Sequence, residues 1–336
     1  MTSSNTMIRT LLTALFLVGL VLPGSASDRN FSMSNVYPID SGHSYIGFQV
    51  KYMGYAKVRG RFEDFSGSIY FDPDDITRTS ATVVIKTESI DTNLVWRDKD
   101  LRSANWFDAE NHPVIIFQTT RVEQKGGKTF FYGDLTMRGV TREVALEMHE
   151  NSGILSDTRG DSQIILTGST VVDRNDFGIK GERWSKVKEG IASVAAEIEI
   201  ELTVLGKQIK EANYRNWVKD TNKPRGRIYK TISESGVEAG LAEFSKMRRD
   251  SGSEIDSNAL NVVGYMLLKE GRTDDAIVVF EHNVSIFPDD ANLFDSLAEA
   301  CATAGQFKKA AENYRKVLAR DPQNGNAIEL LRHIGD

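Results

Sequence analysis

The sequence predicts two folded units in one chain: an all-β antiparallel barrel of about eight strands with one short helix, then an all-α array of helical hairpins. Three observations predict it. Apolar residues recur with period two from about residue 36 to 205 and with period 3.6 from about 225 onward. Landmark residues in the second stretch return every 34 positions. The 336 residues suit two domains of roughly 100–200 each.

Composition narrows the class. Apolar residues make up 40% of the chain and charged residues 26%, which excludes a disordered chain and a multi-span membrane protein. The formal net charge is −6, from 41 Lys and Arg against 47 Asp and Glu, so no global field attracts a polyanion such as nucleic acid. Cys301 is the single cysteine. It forbids an intramolecular disulfide and a cysteine zinc cluster, and each domain must stand on its own hydrophobic core.

Residues 1–27 read as a secretory signal: Arg9, the apolar run Leu11–Leu22, then Pro23-Gly24-Ser25-Ala26-Ser27. The run falls short of the roughly 20 apolar residues that span a bilayer, with an uncleaved anchor as the alternative. No cysteine follows it, which excludes a lipoprotein anchor. The expected location of a disulfide-free exported chain is a periplasm.

From 36 to 205 strands alternate with turns. Ile46, Phe48 and Val50 share one strand face, Val83 and Ile85 another, and Ile198, Ile200 and Leu202 oppose Glu197, Glu199 and Glu201. Asp40-Ser41-Gly42, Asp72-Pro73-Asp74-Asp75, Lys125-Gly126-Gly127-Lys128 and Asn151-Ser152-Gly153 punctuate the runs. Leu94–Asn105 breaks the alternation, with Leu94, Arg97, Asp98, Leu101 and Arg102 at helical spacing. Residues 206–224 form the connector, rich in Lys, Arg and Asn.

Beyond it, Gly271 and Gly305, Ala276 and Ala310, Phe280 and Tyr314, and Pro288 and Pro322 are each 34 residues apart. Gly, small, aromatic and Pro landmarks at that period are the signature of tetratricopeptide repeats, placed at 257–290 and 291–324 within 225–336. Gly240 and Phe244 mark a degenerate half-repeat ahead of them, and 325–336 reads as a closing helix. The groove-facing positions of such hairpins are Asn258, Asn261, Tyr265 and Leu268 in the first repeat and Asn292, Asp295, Glu299 and Ala302 in the second. They either receive a protein or peptide partner or pack on the barrel.

Seven fragments occur in order through the β region: Tyr37-Pro38-Ile39-Asp40 with Gly42-His43-Ser44; Val58–Phe62 with Phe65-Ser66-Gly67; Ser89-Ile90-Asp91-Thr92; Arg97-Asp98 with Leu101-Arg102-Ser103; Trp106-Phe107-Asp108 with His112-Pro113; Gly133–Thr141; and Asp173–Gly178. In this order the region 36–205 resembles the YceI-like family of lipocalin-like barrels. The resemblance implies an elongated apolar tunnel that holds a polyisoprenoid or related amphipathic lipid. The helical tail is no part of that family's usual architecture.

The residues themselves support that chemistry, since an eight-stranded closed sheet leaves an interior wide enough for side chains or one ligand. The expected tunnel lining is Ile46, Phe48, Val50, Phe62, Ile69, Val83, Ile85, Ile116, Leu135 and Phe177; the alternative is that they fill a solid core. Lys57, Arg59 and Arg61 on one strand side, and Lys180 and Arg183 around Trp184, either hold a charged headgroup or form a solvated outer face.

Enzyme signatures are absent from the sequence. There is no Gly-x-Ser-x-Gly elbow, no P-loop and no Rossmann fingerprint, and Ser185-Lys186-Val187-Lys188 lacks the partner motifs of a serine–lysine enzyme. His43 and His112 stand beside turns with no metal-ligand spacing. The expectation is an exported lipid carrier with no metal or cofactor, its tail docking a protein partner. The alternative is an interaction scaffold with a filled barrel.

Overall fold

The computed structural model describes residues 31–181, 184, 187–188, 191–250 and 255–335. The expected signal, 1–27, and the headgroup candidate Arg183 lie outside the described residues.

The β region is one curled antiparallel sheet. Its first run is β1 (Val36–Pro38) continued by β2 (Tyr45–Tyr52), and its second is β3 (Ala56–Phe62) continued by β4 (Phe65–Tyr70). There follow β5 (Ser80–Lys86), the short β6 (Ile90–Asp91), the helix α1 (Val95–Arg102), β7 (Val114–Lys125), β8 (Lys128–Met137), β9 (Val140–Asn151), the short β10 (Leu155–Ser156) and β11 (Ser162–Asp173). A small ribbon of β12 (Val187–Lys188) and β13 (Ile191–Ala192) precedes the long β14 (Val194–Gln208).

Neighbouring runs pair in sequence order from β4 through β5, β7, β8, β9 and β11 to β14. β14 then pairs with β2, Ile200 opposite Phe48, so the sheet curls until its last run meets its first. Ile39 and Asp40 reinforce this seam, their amides donating to Gly67 O at 2.9 Å and Leu205 O at 2.8 Å. The β7–β8 hairpin turns at Gly126 and Gly127, whose φ of 61° and 74° suit the twist of a two-residue turn.

Alternation decides what the curl encloses. Tyr37, Ile69, Phe71, Ile164, Leu166 and Val204 meet at one end and close it as a dense floor. Toward the other end a larger apolar cluster, including Ile46, Phe62, Val83, Ile85 and Ile115, lines the wall under α1.

Eight helices follow the sheet among the described residues: α2 (Glu211–Val218), α3 (Pro224–Ser235), α4 (Val237–Asp250), α5 (Asn258–Lys269), α6 (Thr273–Ile286), α7 (Ala291–Thr303), α8 (Phe307–Arg320) and α9 (Gly325–Ile334). The landmark residues act as their chemistry requires. Gly271 and Gly305 take φ of 74° and 72° and end α5 and α7. The following amides, Arg272 and Gln306, bond back to Leu267 O and Cys301 O. Ala276 and Ala310 are fully buried at helix crossings, Phe280 lies against Gly264, and Tyr314 is fully buried.

The stretch 206–224 carries the end of β14 and the whole of α2, whose Tyr214 ring stacks 5.6 Å from Tyr265 of α5. α9 lies on the outer face of β4 and β5. Gly325 touches the backbone of Ser66 and Gly67, Ser68 donates to Asn326, and Ser80 and Thr82 donate to Glu329 at 2.5 and 2.6 Å. Arg332 donates to the carbonyl of Thr119.

Candidate functional site

Between the floor and α1 the sheet encloses a cavity of about 440 Å³. Its wall is built by alternate residues: Phe48 and Val50 of β2, Val58 and Phe62 of β3, Val83 and Ile85 of β5, Ile115 and Phe117 of β7, and Ile198, Ile200, Leu202 and Val204 of β14. α1 and the loop after it supply Trp96, Arg97, Leu101, Trp106 and Phe107. A void of this size, valued at roughly 24 cal/mol per Å³ of truncation cavity, corresponds to about 10 kcal/mol, comparable to the whole stability of a domain. Water entering an open mouth recovers little of that, because the walls offer it few partners. The arrangement fits an apolar occupant.

The polar groups at the cavity serve mainly to hold its walls. Asp98 is buried and accepts from the Thr92 amide and hydroxyl at 2.8 and 2.5 Å, which fixes α1 to β6. Arg97 donates to the Thr92 hydroxyl and carbonyl, and the Trp106 indole donates to Asp100 at 3.0 Å. Arg174 is buried, donates to the carbonyls of Ala195 and Ile179, and lies 5.3 Å from the Trp106 ring. Burial pulls its pKa below the ordinary arginine value, against the opposing charge of Asp173. Arg138, at a φ of 50° in the β8–β9 turn, donates to the carbonyls of Trp106, Gly178 and Ala104 and ties the same loop down.

The structure brings seven of the ten expected lining residues onto the cavity wall: Ile46, Phe48, Val50, Phe62, Val83, Ile85 and Leu135. The other three stand elsewhere. Ile69 belongs to the closed floor, and Phe177 is buried at the end of the short helix after β11, off the cavity wall. Ile116 points to the outer face while its neighbours Ile115 and Phe117 face the cavity, a one-residue phase error in β7. Lys57, Arg59 and Arg61 project outward too, paired in register with Lys51, Gln49 and Gly47 and alternating with the inward Val58, Gly60 and Phe62. Lys180 is exposed and outside the lining. Sequence reasoning left out the residues of α1 and its loop, Arg174 and Trp184. It also left out wall residues on the strands: Val58 of β3, Ile115 and Phe117 of β7, and the β14 set Ile198, Ile200, Leu202 and Val204.

Residues 37–205, half of the chain, match the sequence profile of the YceI-like domain. This chain belongs to the YceI-like family. A UPF0312 protein of Photorhabdus laumondii is 33% identical over 183 residues, covering 54% of this chain and 95% of that one. A UPF0312 protein of Shewanella baltica is 33% identical over 201 residues, covering 60% and 98%. Among solved structures, BcnA of Burkholderia cenocepacia is similar at 22% identity and a TM-score of 0.43, covering 50% of this chain and 98% of its own. A polyisoprenoid binding domain from Saccharophagus degradans is similar at 15% identity and a TM-score of 0.38, covering 52% and 98%.

Within the YceI-like domain six of the seven ordered fragments place a residue on the cavity, among them Phe62, Thr92, Arg97, Trp106, Leu135 and Arg174, while the first holds the frame. Asp40 caps the turn at Ser41–His43, with His43 Nδ1 2.9 Å from its carboxylate, and Ser44 ties that turn to Asp40 O and the Leu205 amide. His112 lies in a separate turn near Asp108 and Gly139.

The profile match ends where the helices begin, and there the proposed groove positions divide. Tyr265 donates to Glu299 at 2.8 Å beneath Tyr214, Asp295 accepts from Asn326 of α9, and Ala302 is buried. Tyr265 thus meets α2 and Asp295 meets α9, both within the chain. Asn258 and Asn292 are exposed, and Asn261 and Leu268 are half-buried. Burial, ahead of the two bonds from Asn326, pushes the Asp295 carboxyl up to about 7, and burial likewise raises Glu299. Glu329 goes the other way. Burial opposes it, yet the His333 ring, the Arg332 charge and the Ser80 hydroxyl hold it down to about 2.

Proposed function

We propose that this protein binds an isoprenoid or related amphipathic lipid in the barrel cavity and carries it outside the cytoplasm, in a periplasm. The observation that carries the reading is the cavity itself: about 440 Å³, walled by large apolar side chains whose few polar neighbours are engaged with one another. Each buried methylene of an acyl or prenyl chain contributes roughly 0.8 kcal/mol, so a chain that fills the cavity recovers what an empty one forfeits. Family membership supports the same reading, as the YceI-like resemblance implies polyisoprenoid binding. The polar groups form an inward-facing brace and offer no acid–base pair on a reacting centre, which favours a binder over an enzyme.

The helical region reads as tetratricopeptide hairpins, supported by the paired Gly271 and Gly305 caps and the buried Ala276 and Ala310. Tyr265 and Asp295 of the expected groove meet α2 and α9, and α9 in turn braces the barrel through Asn326, Glu329 and Arg332. A protein partner would dock at the edge around Asn258 and Asn292, both exposed.

Native mass spectrometry of the protein purified from its own cell envelope, with organic extraction of what co-purifies, tests the lipid. A stoichiometric isoprenoid adduct is expected. A bare polypeptide mass that incubation with prenyl lipids leaves unchanged would overturn the reading.

A further inference from the structure

The cavity opens under two short segments whose apolar side chains stand in water. In the turn between β2 and β3, Tyr55 is 87% exposed, with Met53 beside it; at the start of α1, Val95 is 85% and Trp96 61% exposed. Tyr52 and Trp96 also line the cavity, so the exposed patch is continuous with its mouth. The helical region packs on β4 and β5 and leaves these side chains uncovered.

Unpaired cations predominate around the patch among the described residues. From Tyr45 to Phe62 the chain carries Lys51, Lys57, Arg59 and Arg61 and no carboxylate. Lys51, Lys57 and Arg59 are exposed and make no ion pair among the described residues, and Lys99 of α1 is exposed as well. The carboxylates of α1 turn inward, Asp98 to Thr92 and Asp100 to Trp106, while Asp91 accepts from the Asn93 amide. On the adjoining outer face of β14 Glu197 and Glu201 are exposed and Glu199 accepts from Gln49. Arg61 pairs with Glu63, so the rim cations without an ion pair among the described residues are Lys51, Lys57, Arg59 and Lys99.

We infer that this rim is a docking surface for an anionic lipid bilayer. Trp and Tyr settle at the headgroup level, Met53 and Val95 enter the acyl boundary, and the lysines and arginine meet the phosphates. The mouth then faces the membrane, and an insoluble chain enters the cavity without crossing water. The inference rests on the lipid-binding reading for its purpose, though the docking itself is measured separately.

The test is flotation of the full chain with vesicles of phosphatidylglycerol and phosphatidylcholine, and with phosphatidylcholine alone. The full chain is expected to float with the anionic vesicles. Tyr55→Asp with Val95→Asp, and separately Lys51→Ser with Lys57→Ser and Arg59→Ser, are expected to weaken that binding by roughly tenfold or more, with circular dichroism unchanged. Native mass spectrometry of the same samples reads the cavity. A wild type that stays off the vesicles, or variants that float as well as it does, overturns the docking surface even where a lipid adduct is present. Tenfold weaker flotation of the variants supports it even where the cavity proves empty, and in that case the carrier reading alone falls. Salt-independent binding to both vesicle types also overturns it, because the cations would then have no role.

Discussion

Val83 shows what a single position in the cavity wall decides. It lies opposite Phe117 in β5, and its side chain ends at free space. Adding bulk to a filled core costs about 1–3 kcal/mol in displaced neighbours, but here about 440 Å³ is available to take an indole. Val83→Trp is therefore expected to keep its thermal midpoint within a few degrees and to lose the co-purifying lipid mass. Ile69 supplies the contrast, because it sits 1% exposed in the closed floor. Ile69→Trp is expected to destabilise by about 2 kcal/mol or more in urea titration. Equal destabilisation by both substitutions would mean that the wall at Val83 is filled and that the cavity is no binding site.

At the scale of elements, α9 decides whether the chain behaves as two units or one. A Cβ on Gly325 would come within 2.7 Å of the Gly67 Cα and 2.9 Å of the Ser66 carbonyl. Those are backbone atoms and cannot swing aside. Gly325→Val is expected to lift the start of α9 from β4 and leave the Glu329 carboxylate short of its hydroxyl donors. The readout is calorimetry, where one transition should split into two; a single unshifted transition would show that α9 adds nothing to coupling. This contact was not legible in the sequence. Asn326, Glu329 and Arg332 form a polar stripe that reads as the wet side of a closing helix, yet they meet Ser68, Ser80 and Thr119 on the barrel. By contrast, the lining of β2 was legible, because Ile46, Phe48 and Val50 alternate with polar or small residues and leave only one face for the apolar set. It failed in β7, where Ile115, Ile116 and Phe117 are consecutive and leave the phase open. The part played by α1 was also hidden, since its local pattern shows a helix and says nothing of what it covers. The hairpin landmarks of α5 to α8 were plain because Gly, Ala and aromatic residues each have one place to go in such a crossing.

For the whole molecule, two buried carboxylates pull stability in opposite directions with pH. Glu329 is held at about 2 in the folded protein against an ordinary 4.5. Folding therefore favours its ionised form; that stabilisation is complete above pH 4.5 and is lost as pH falls toward 2. Asp295 is raised to about 7 from 3.8. Between those values the folded chain binds more protons than the unfolded one, so stability falls as pH rises through the interval and levels off above it. Glu299 adds to the same limb, its carboxyl raised by burial. His282 opposes them, since burial lowers its pKa and favours folding as pH rises toward 6.5. The two carboxylates balance between their ordinary values of 3.8 and 4.5, so their joint contribution is greatest at about pH 4. Asp295→Asn isolates the neutral limb: it keeps the shape and removes the charge, so it should gain on the order of 4 kcal/mol over wild type at pH 8 and little at pH 4. Urea midpoints at the two pH values measure the difference. A gain that is equal at both would place the effect in packing and leave the Asp295 carboxyl unperturbed.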